Sequence, residues 1–199
     1  MPFQRPKRKL VLITAAAAAV LAVAPPAQAA TTCSFPSTAP VFSPWLDTAQ
    51  YTPFPGSTFE HGASGWSWGG KANIVSGDSN DALNAGSHAV QIPGSGTAKS
   101  PWLCVNATTP SMRFFIRRVS GTGKLRVQGV LNGPAGKVSS VFTTMSADAG
   151  WRPSAVVMFP RPFMDALTNG GLQAQFLFIA DAGTAFRIDD IQLDPFKGH

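Results

Sequence analysis

Between residues 87 and 193 glycine, proline and asparagine cut the chain into eight short stretches rich in apolar residues, and this punctuation constrains the fold more than any other feature. The stretches are 87–93, 98–105, 111–120, 124–131, 138–145, 154–159, 172–180 and 185–193. Turn signals such as Gly121-Thr122-Gly123, Asn132-Gly133-Pro134 and Asn169-Gly170-Gly171 separate them. Segments of this length and spacing are antiparallel strands. A helix would need apolar residues three and four positions apart over a dozen residues, and only 162–167 offers even one such turn. The chain is read as an all-β sandwich.

The region ahead of these strands has a different character. Arg5, Lys7, Arg8 and Lys9 precede an uncharged apolar run from residue 10 to 24, followed by Ala27-Gln28-Ala29. At 15 residues the run is short of the roughly 18 that indicate a membrane span. Residues 1–29 are therefore predicted to be a signal peptide, with an uncleaved anchor as the alternative, and the protein is expected to be secreted. The leader holds four of the 16 basic residues and none of the ten acidic ones, which leaves 12 − 10 = +2 on the rest of the chain. That balance lacks the footprint of a nucleic-acid binder, and no membrane association is expected after cleavage. One monomeric domain is expected.

Residues 30–55 carry Pro36, Pro40, Pro44, Pro53 and Pro55, which rule out a regular helix or a central strand. They are read as an extended strap, laid down by Phe35, Phe42, Trp45, Tyr51 and Phe54, with the sandwich occupying 56–199. Cys33 and Cys104 are the two cysteines, and in a chain leaving the reducing cytoplasm they are expected to form a disulfide that ties the strap to the body. With His61 and His88 as the histidines inside the domain, a zinc site is not expected.

In "SMRFFIRRVS" (residues 111–120) alternation puts Met112, Phe114 and Ile116 on a core face and Arg113, Phe115 and Arg117 on the other. Arg126 and Gln128, then Gln173 and Gln175, alternate in the same way in later stretches. If these strands are neighbours, one sheet face presents Arg113, Phe115, Arg117, Arg126, Gln128, Gln173 and Gln175 as ligand-binding candidates, and Trp68 is the aromatic candidate outside them. Guanidinium and amide groups around aromatic rings suit a sugar, which has an apolar face and a polar edge, and several arginines favour acidic groups such as uronates. A solvated sheet face is the alternative.

Glu60 is the single glutamate of the chain, and Asp189 and Asp190 stand side by side in the last apolar stretch. Adjacent strand residues point to opposite faces, so at least one of these carboxylates approaches the core and needs a partner. Calcium is one such partner, and an arginine such as Arg187 paired with Glu60 is the other reading. "STFEHGASGWSW", "SHAVQIP" and "FRIDDIQL" together resemble the galactose-binding-like jelly roll used by many carbohydrate-binding modules. That resemblance implies that the Phe-Glu and Asp-Asp motifs meet through neighbouring first and last strands, with a structural calcium held by Glu60 and Asp189 or Asp190. The stretch "SPWLCVNATTPSMRFFIRR" and the "RIDD" ending also resemble a group of short secreted proteins of high-GC Gram-positive bacteria, a likeness that bears on fold and disulfide rather than activity.

The expected function is non-catalytic binding of a glycan or cell-wall polymer, with a cell-surface interaction protein as the alternative. Gly77-Asp78-Ser79 is similar to the nucleophile block of GDSL-type esterases, but those are α/β proteins with a histidine three residues after an aspartate. Here the late histidine is His199, five residues after Asp194. One glutamate and two internal histidines leave few candidates for acid–base chemistry, so no enzyme is expected.

Overall fold

The computed structural model describes residues 33–35, 38–80, 82–83, 86–134, 136–168 and 170–195. The leader read over 1–29 and His199 lie outside the described residues. Thirteen strands and one short helix follow in chain order: β1 (Thr52–Pro53), β2 (Ser67–Gly69), β3 (Asn73–Ser76), β4 (His88–Ile92), β5 (Thr97–Lys99), β6 (Leu103–Val105), β7 (Ser111–Ser120), β8 (Leu125–Gly133), β9 (Gly136–Met145), β10 (Arg152–Pro153), β11 (Val157–Met158), α1 (Arg161–Asp165), β12 (Leu172–Ala180) and β13 (Ala185–Asp194). The helix falls where the sequence offered one turn. Among the described residues no helix is long and apolar enough to cross a membrane.

The strands form two antiparallel sheets. One has the order β10-β7-β13-β4-β3, with β1 added to β13 and β11 to β7, and the other has β2-β5-β12-β8-β9, with β6 added to β12. This is the all-β sandwich expected from the punctuation. Between the sheets lies a core rich in phenylalanine, including Phe54, Phe114, Phe163, Phe176, Phe178 and Phe186. Rings of Phe142, Phe159 and Phe163 meet at centroid distances of 4.8 to 5.4 Å. Gly129 leaves the room for this cluster, because a Cβ there would run into the Phe142 and Phe163 rings.

The stretch 98–105 is two strands rather than one. Pro101 has no N–H to give the ladder, so β5 and β6 pair with separate parts of β12. Ser100 bridges the gap: its N–H donates to the Phe176 carbonyl at 2.9 Å and its Oγ accepts from the Phe176 N–H at 3.0 Å. The ladder is thus carried past the proline by a side chain, and Trp102 is released from the alternation.

The strap crosses the outside of the seven-stranded sheet. It makes a 3-10 turn at Ser43–Trp45, bridges Ala39 to Tyr51, and joins the sheet through β1, where Thr52 and Pro53 oppose Leu193 and Gln192. Phe42, Tyr51 and Phe115 form a second buried cluster with Trp45 packed against it. The Cys33–Cys104 disulfide fastens the strap's start to β6 across 71 residues of chain. Replacing both cysteines with alanine is expected to cost roughly 2 to 4 kcal/mol through released chain entropy, read as a lower denaturant midpoint. An unchanged midpoint would show that the strap needs no tether.

Candidate functional site

The expected single face of Arg, Gln and Phe does not form. Strand β7 lies in the seven-stranded sheet, whereas β8 and β12 lie in the six-stranded one, so the candidates divide into two groups on opposite sides of the molecule.

The β7 group is covered. Phe115 is 1% exposed, with its ring 5.7 Å from that of Phe42. Arg113 is buried, donating to Asp47 Oδ2 at 2.6 Å and to the Ser154 carbonyl at 3.0 Å, with its guanidinium 4.7 Å from the centre of the Phe42 ring. Burial raises the Asp47 pKa, but hydrogen bonds from Tyr51 and Arg113 outweigh it and hold this carboxyl below its usual range. Arg117 and Arg187 both donate to Asp78, which also accepts from Trp151 Nε1 at 3.1 Å. These three arginines hold the strap and the 77–80 segment against the sheet. Trp68 opposes Ala98 and so sits at the rim of the core-facing side, stacked on Trp66 at 6.1 Å and 36% exposed, away from both outer faces.

The other four candidates do come together. Arg126, Gln128, Gln173 and Gln175 share the outer face of the six-stranded sheet, where register sets four rows across the strands. Thr97, Ile179, Arg126 and Thr144 make one row, and Lys99, Leu177, Gln128 and Val141 the next. Gln175, Val130 and Ser139 follow, and then Cys104, Gln173, Asn132 and Lys137. Gln128 Nε2 donates to Ser139 Oγ, and Gln175 Nε2 to the Ser100 carbonyl at 2.9 Å.

Two residues that sequence reasoning missed complete this face. Trp102, 40% exposed, meets Lys137 with the ammonium 5.9 Å from its ring centre. Trp102 leads into β6 and Lys137 lies in β9, with β12 and β8 between them, so the two side chains converge over the sheet. The signal for Trp102 was the Pro101 beside it, which frees the indole from the strand's alternation.

The acidic motifs take separate partners, in a different arrangement from the one expected. Glu60 pairs with His88, not Arg187: Nδ1 of His88 lies 3.0 Å from Oε2, while Oε1 accepts from the Ser87 and His88 N–H groups at 2.8 and 2.7 Å. These hydrogen bonds overcome the effect of burial and lower the Glu60 pKa. Gly86 makes way for this carboxylate, since a Cβ there would strike it. Arg187 is bound to Asp78 and Gln91 instead.

Asp189 and Asp190 are 2% and 1% exposed, at a register shift in β13. Asn80 ties them together, its N–H donating to Asp189 Oδ2 at 3.0 Å and its Nδ2 to Asp190 Oδ2 at 2.9 Å. Asp190 adopts φ 47°, a left-handed conformation unusual for a side-chain-bearing residue, and its N–H donates to the Ser57 carbonyl at 3.0 Å. Burial and then the Asp190 charge push the Asp189 carboxyl up to about 8, with Glu60 adding in the same direction. Among the described residues no three His, Cys, Asp or Glu side chains come together as a metal cluster. Ser79 Oγ donates to the Gly86 carbonyl at 2.7 Å.

Comparison with solved structures gives the same architecture. The chain is similar to the CBM22-1 xylan-binding domain of Paenibacillus barcinonensis Xyn10C, with a TM-score of 0.53 and 14% identity over 72% of this chain and 94% of that one. It is similar to the CBM 22 xylan-binding domain termed x6b, at 0.52 and 13%, over 72% and 94%. It is also similar to the CBM22-1-GH10 modules of Clostridium thermocellum endo-1,4-beta-D-xylanase 10B complexed with xylohexaose, at 0.50 and 14% over 72% of this chain, which spans 28% of that longer protein. At these identities the likeness is one of fold, and the fold is the jelly-roll sandwich. No family model and no curated protein matches the sequence.

Proposed function

We propose that the protein is a secreted, non-catalytic module that binds a polysaccharide on the outer face of its six-stranded sheet. The observation that carries this is the composition of the face. Leu177, Ile179 and Val130 give it an apolar strip, Arg126, Gln128, Gln173, Gln175 and Asn132 surround the strip with donors and acceptors, and exposed Trp102 closes one end. An apolar strip edged by amides matches the two sides of a sugar ring. Xylan-binding domains with the same fold support a glycan in particular.

The test is retention of the protein on insoluble xylan, galactan, cellulose and bacterial cell walls. Trp102→Ala and Gln175→Ala should each weaken retention on the recognised polymer by roughly tenfold with little change in melting temperature. If no polymer retains the parent protein, the reading falls and a protein partner at the cell surface takes its place.

Calcium is proposed for the acidic motifs. Two carboxylates lie side by side in the interior, and among the described residues Asp189 takes hydrogen bonds from the Asn80 and Asp190 N–H groups and from no cationic side chain. A cation that prefers six to eight oxygens fits that donor set. Asp189 and Asp190 would hold it, and amide or main-chain oxygens near Ser57 and Asn80 would complete the shell, while Glu60 stays with His88 and Ser87. When bound, the ion would neutralise this buried charge and lock the β13 bulge.

A further inference from the structure

Arg113, Arg117 and Arg187 are committed to Asp47 and Asp78, whereas Arg118 and Arg152 are not. Arg118 and Arg152 line a cleft of about 340 Å³ at the open end of the sandwich, where the 146–150 turn meets β7 and β10. Arg152 opposes Ile116, a core residue, and Arg118 lies two positions along β7 on that same side. Both side chains therefore leave the core rim on one side of the sheet. The Arg118 N–H donates to the Asp148 carbonyl at 2.7 Å, which fixes the turn over the strand.

Neither guanidinium has an ion pair or a hydrogen bond among the described residues, although Asp148 lines the same cleft. Arg118 is half-buried and Arg152 exposed; a partly buried guanidinium without a counter-charge has lost some of its hydration, and a carboxylate restores the balance through two parallel N–H···O bonds. Met145 and Pro153 add apolar walls, and Ser146 a hydroxyl. The row Thr97, Ile179, Arg126 and Thr144 ends at the β9 edge, one residue before Met145 of the cleft.

We infer that this cleft binds the carboxylate of a uronic acid residue in an acidic polysaccharide, engaged by Arg118 and Arg152. The polymer rests on the glycan reading of the sheet face; the recognition of the uronate does not.

The experiment is a titration of the folded protein, followed by backbone amide NMR, with glucuronate, galacturonate, glucose, acetate and sulfate. Amides of Arg118, Asp148 and Arg152 should shift with a uronate and not with glucose, and the response should vanish in Arg118→Gln/Arg152→Gln. Arg152→Gln alone, at an exposed position, should reduce it if the double variant folds poorly. On polymers, the parent should bind glucuronoxylan roughly tenfold more tightly than neutral xylan, and the double variant should lose that preference while keeping its neutral binding. The proposal is overturned if no uronate moves these amides, if the response survives the double variant, or if acetate and sulfate act as strongly as the uronate. Failure on every polymer with an intact uronate response would overturn the sheet-face reading and leave this one standing.

Discussion

In the presence of chelator the protein should lose stability as the pH rises from about 4 to about 8, and millimolar calcium should abolish that loss. Asp189 starts from an ordinary value of 3.8 in the unfolded chain and is pushed up to about 8 in the folded one by burial and by the charge of Asp190. Between those limits the folded state keeps a proton that the unfolded state has released. Stability therefore falls with rising pH across that window. Each unit of separation is worth about 1.4 kcal/mol, so the loss amounts to several kcal/mol by pH 8. Asp194 is raised by burial too and adds in the same direction, whereas Asp47 and Glu60 are lowered and remove stability only as the pH falls through their own folded values. On the calcium proposal, a bound ion would add positive charge beside Asp189 and make its ionised form the stable one. Melting curves at pH 5 and pH 8, each with EDTA and with calcium, read this directly. A fall that persists in calcium sinks the metal proposal while keeping the protonated pair, and no fall in EDTA sinks the buried charge itself.

The sequence was most legible where a single strand decides the matter. Strands β7 and β12 fall on their expected residues because alternation of Phe, Ile and Leu with polar side chains is a property of one strand, needing no knowledge of its neighbours. The candidate face depended on which strands pair, and that is settled elsewhere. Gly121 to Lys124 looks like a hairpin turn between β7 and β8, but it carries the chain from one sheet to the other. It packs against the β12–β13 turn, where the Gly123 N–H donates to Thr184 Oγ1 at 2.7 Å and the Lys124 N–H to Asp181 Oδ2 at 2.9 Å. A contact over some 60 residues is invisible to local pattern. The same holds for Asp47 and Asp78, distant in sequence from the arginines they neutralise, and it is why the strap's role as a lid over Phe115 could not be read from its prolines. Trp102 was hidden for the opposite reason, since a local break at Pro101 was absorbed into a longer strand.

Arg113→Ala separates the two sheet faces, because it should damage the fold and leave the proposed binding face alone. The substitution removes the partner of Asp47, the donor to the Ser154 carbonyl and the cation over Phe42 in one step. Both members of the ion pair are largely shielded, with side-chain exposures of 10% and 17%. Removing one partner of such a pair leaves an uncompensated charge beneath the strap and costs about 3 to 5 kcal/mol. Asp47 keeps its hydrogen bonds from Tyr51 Oη and the Ala49 N–H, which places the expected loss toward the lower end. Arg113→Lys should recover part of it, restoring the charge but not the fork that reaches both Asp47 and Ser154. Well below the lowered melting temperature, Arg113→Ala should bind polymer as the parent does, since Arg113 lies in the sheet opposite Trp102 and Gln175. Arg126→Ala on the outer face should show the reverse, with weaker binding and an unchanged melting curve, because Arg126 is exposed there. Denaturant midpoints and polymer retention, measured on the same preparations, decide the matter. If Arg113→Ala loses retention while keeping its midpoint, the ligand sits under or beside the strap and the six-stranded face is the wrong one.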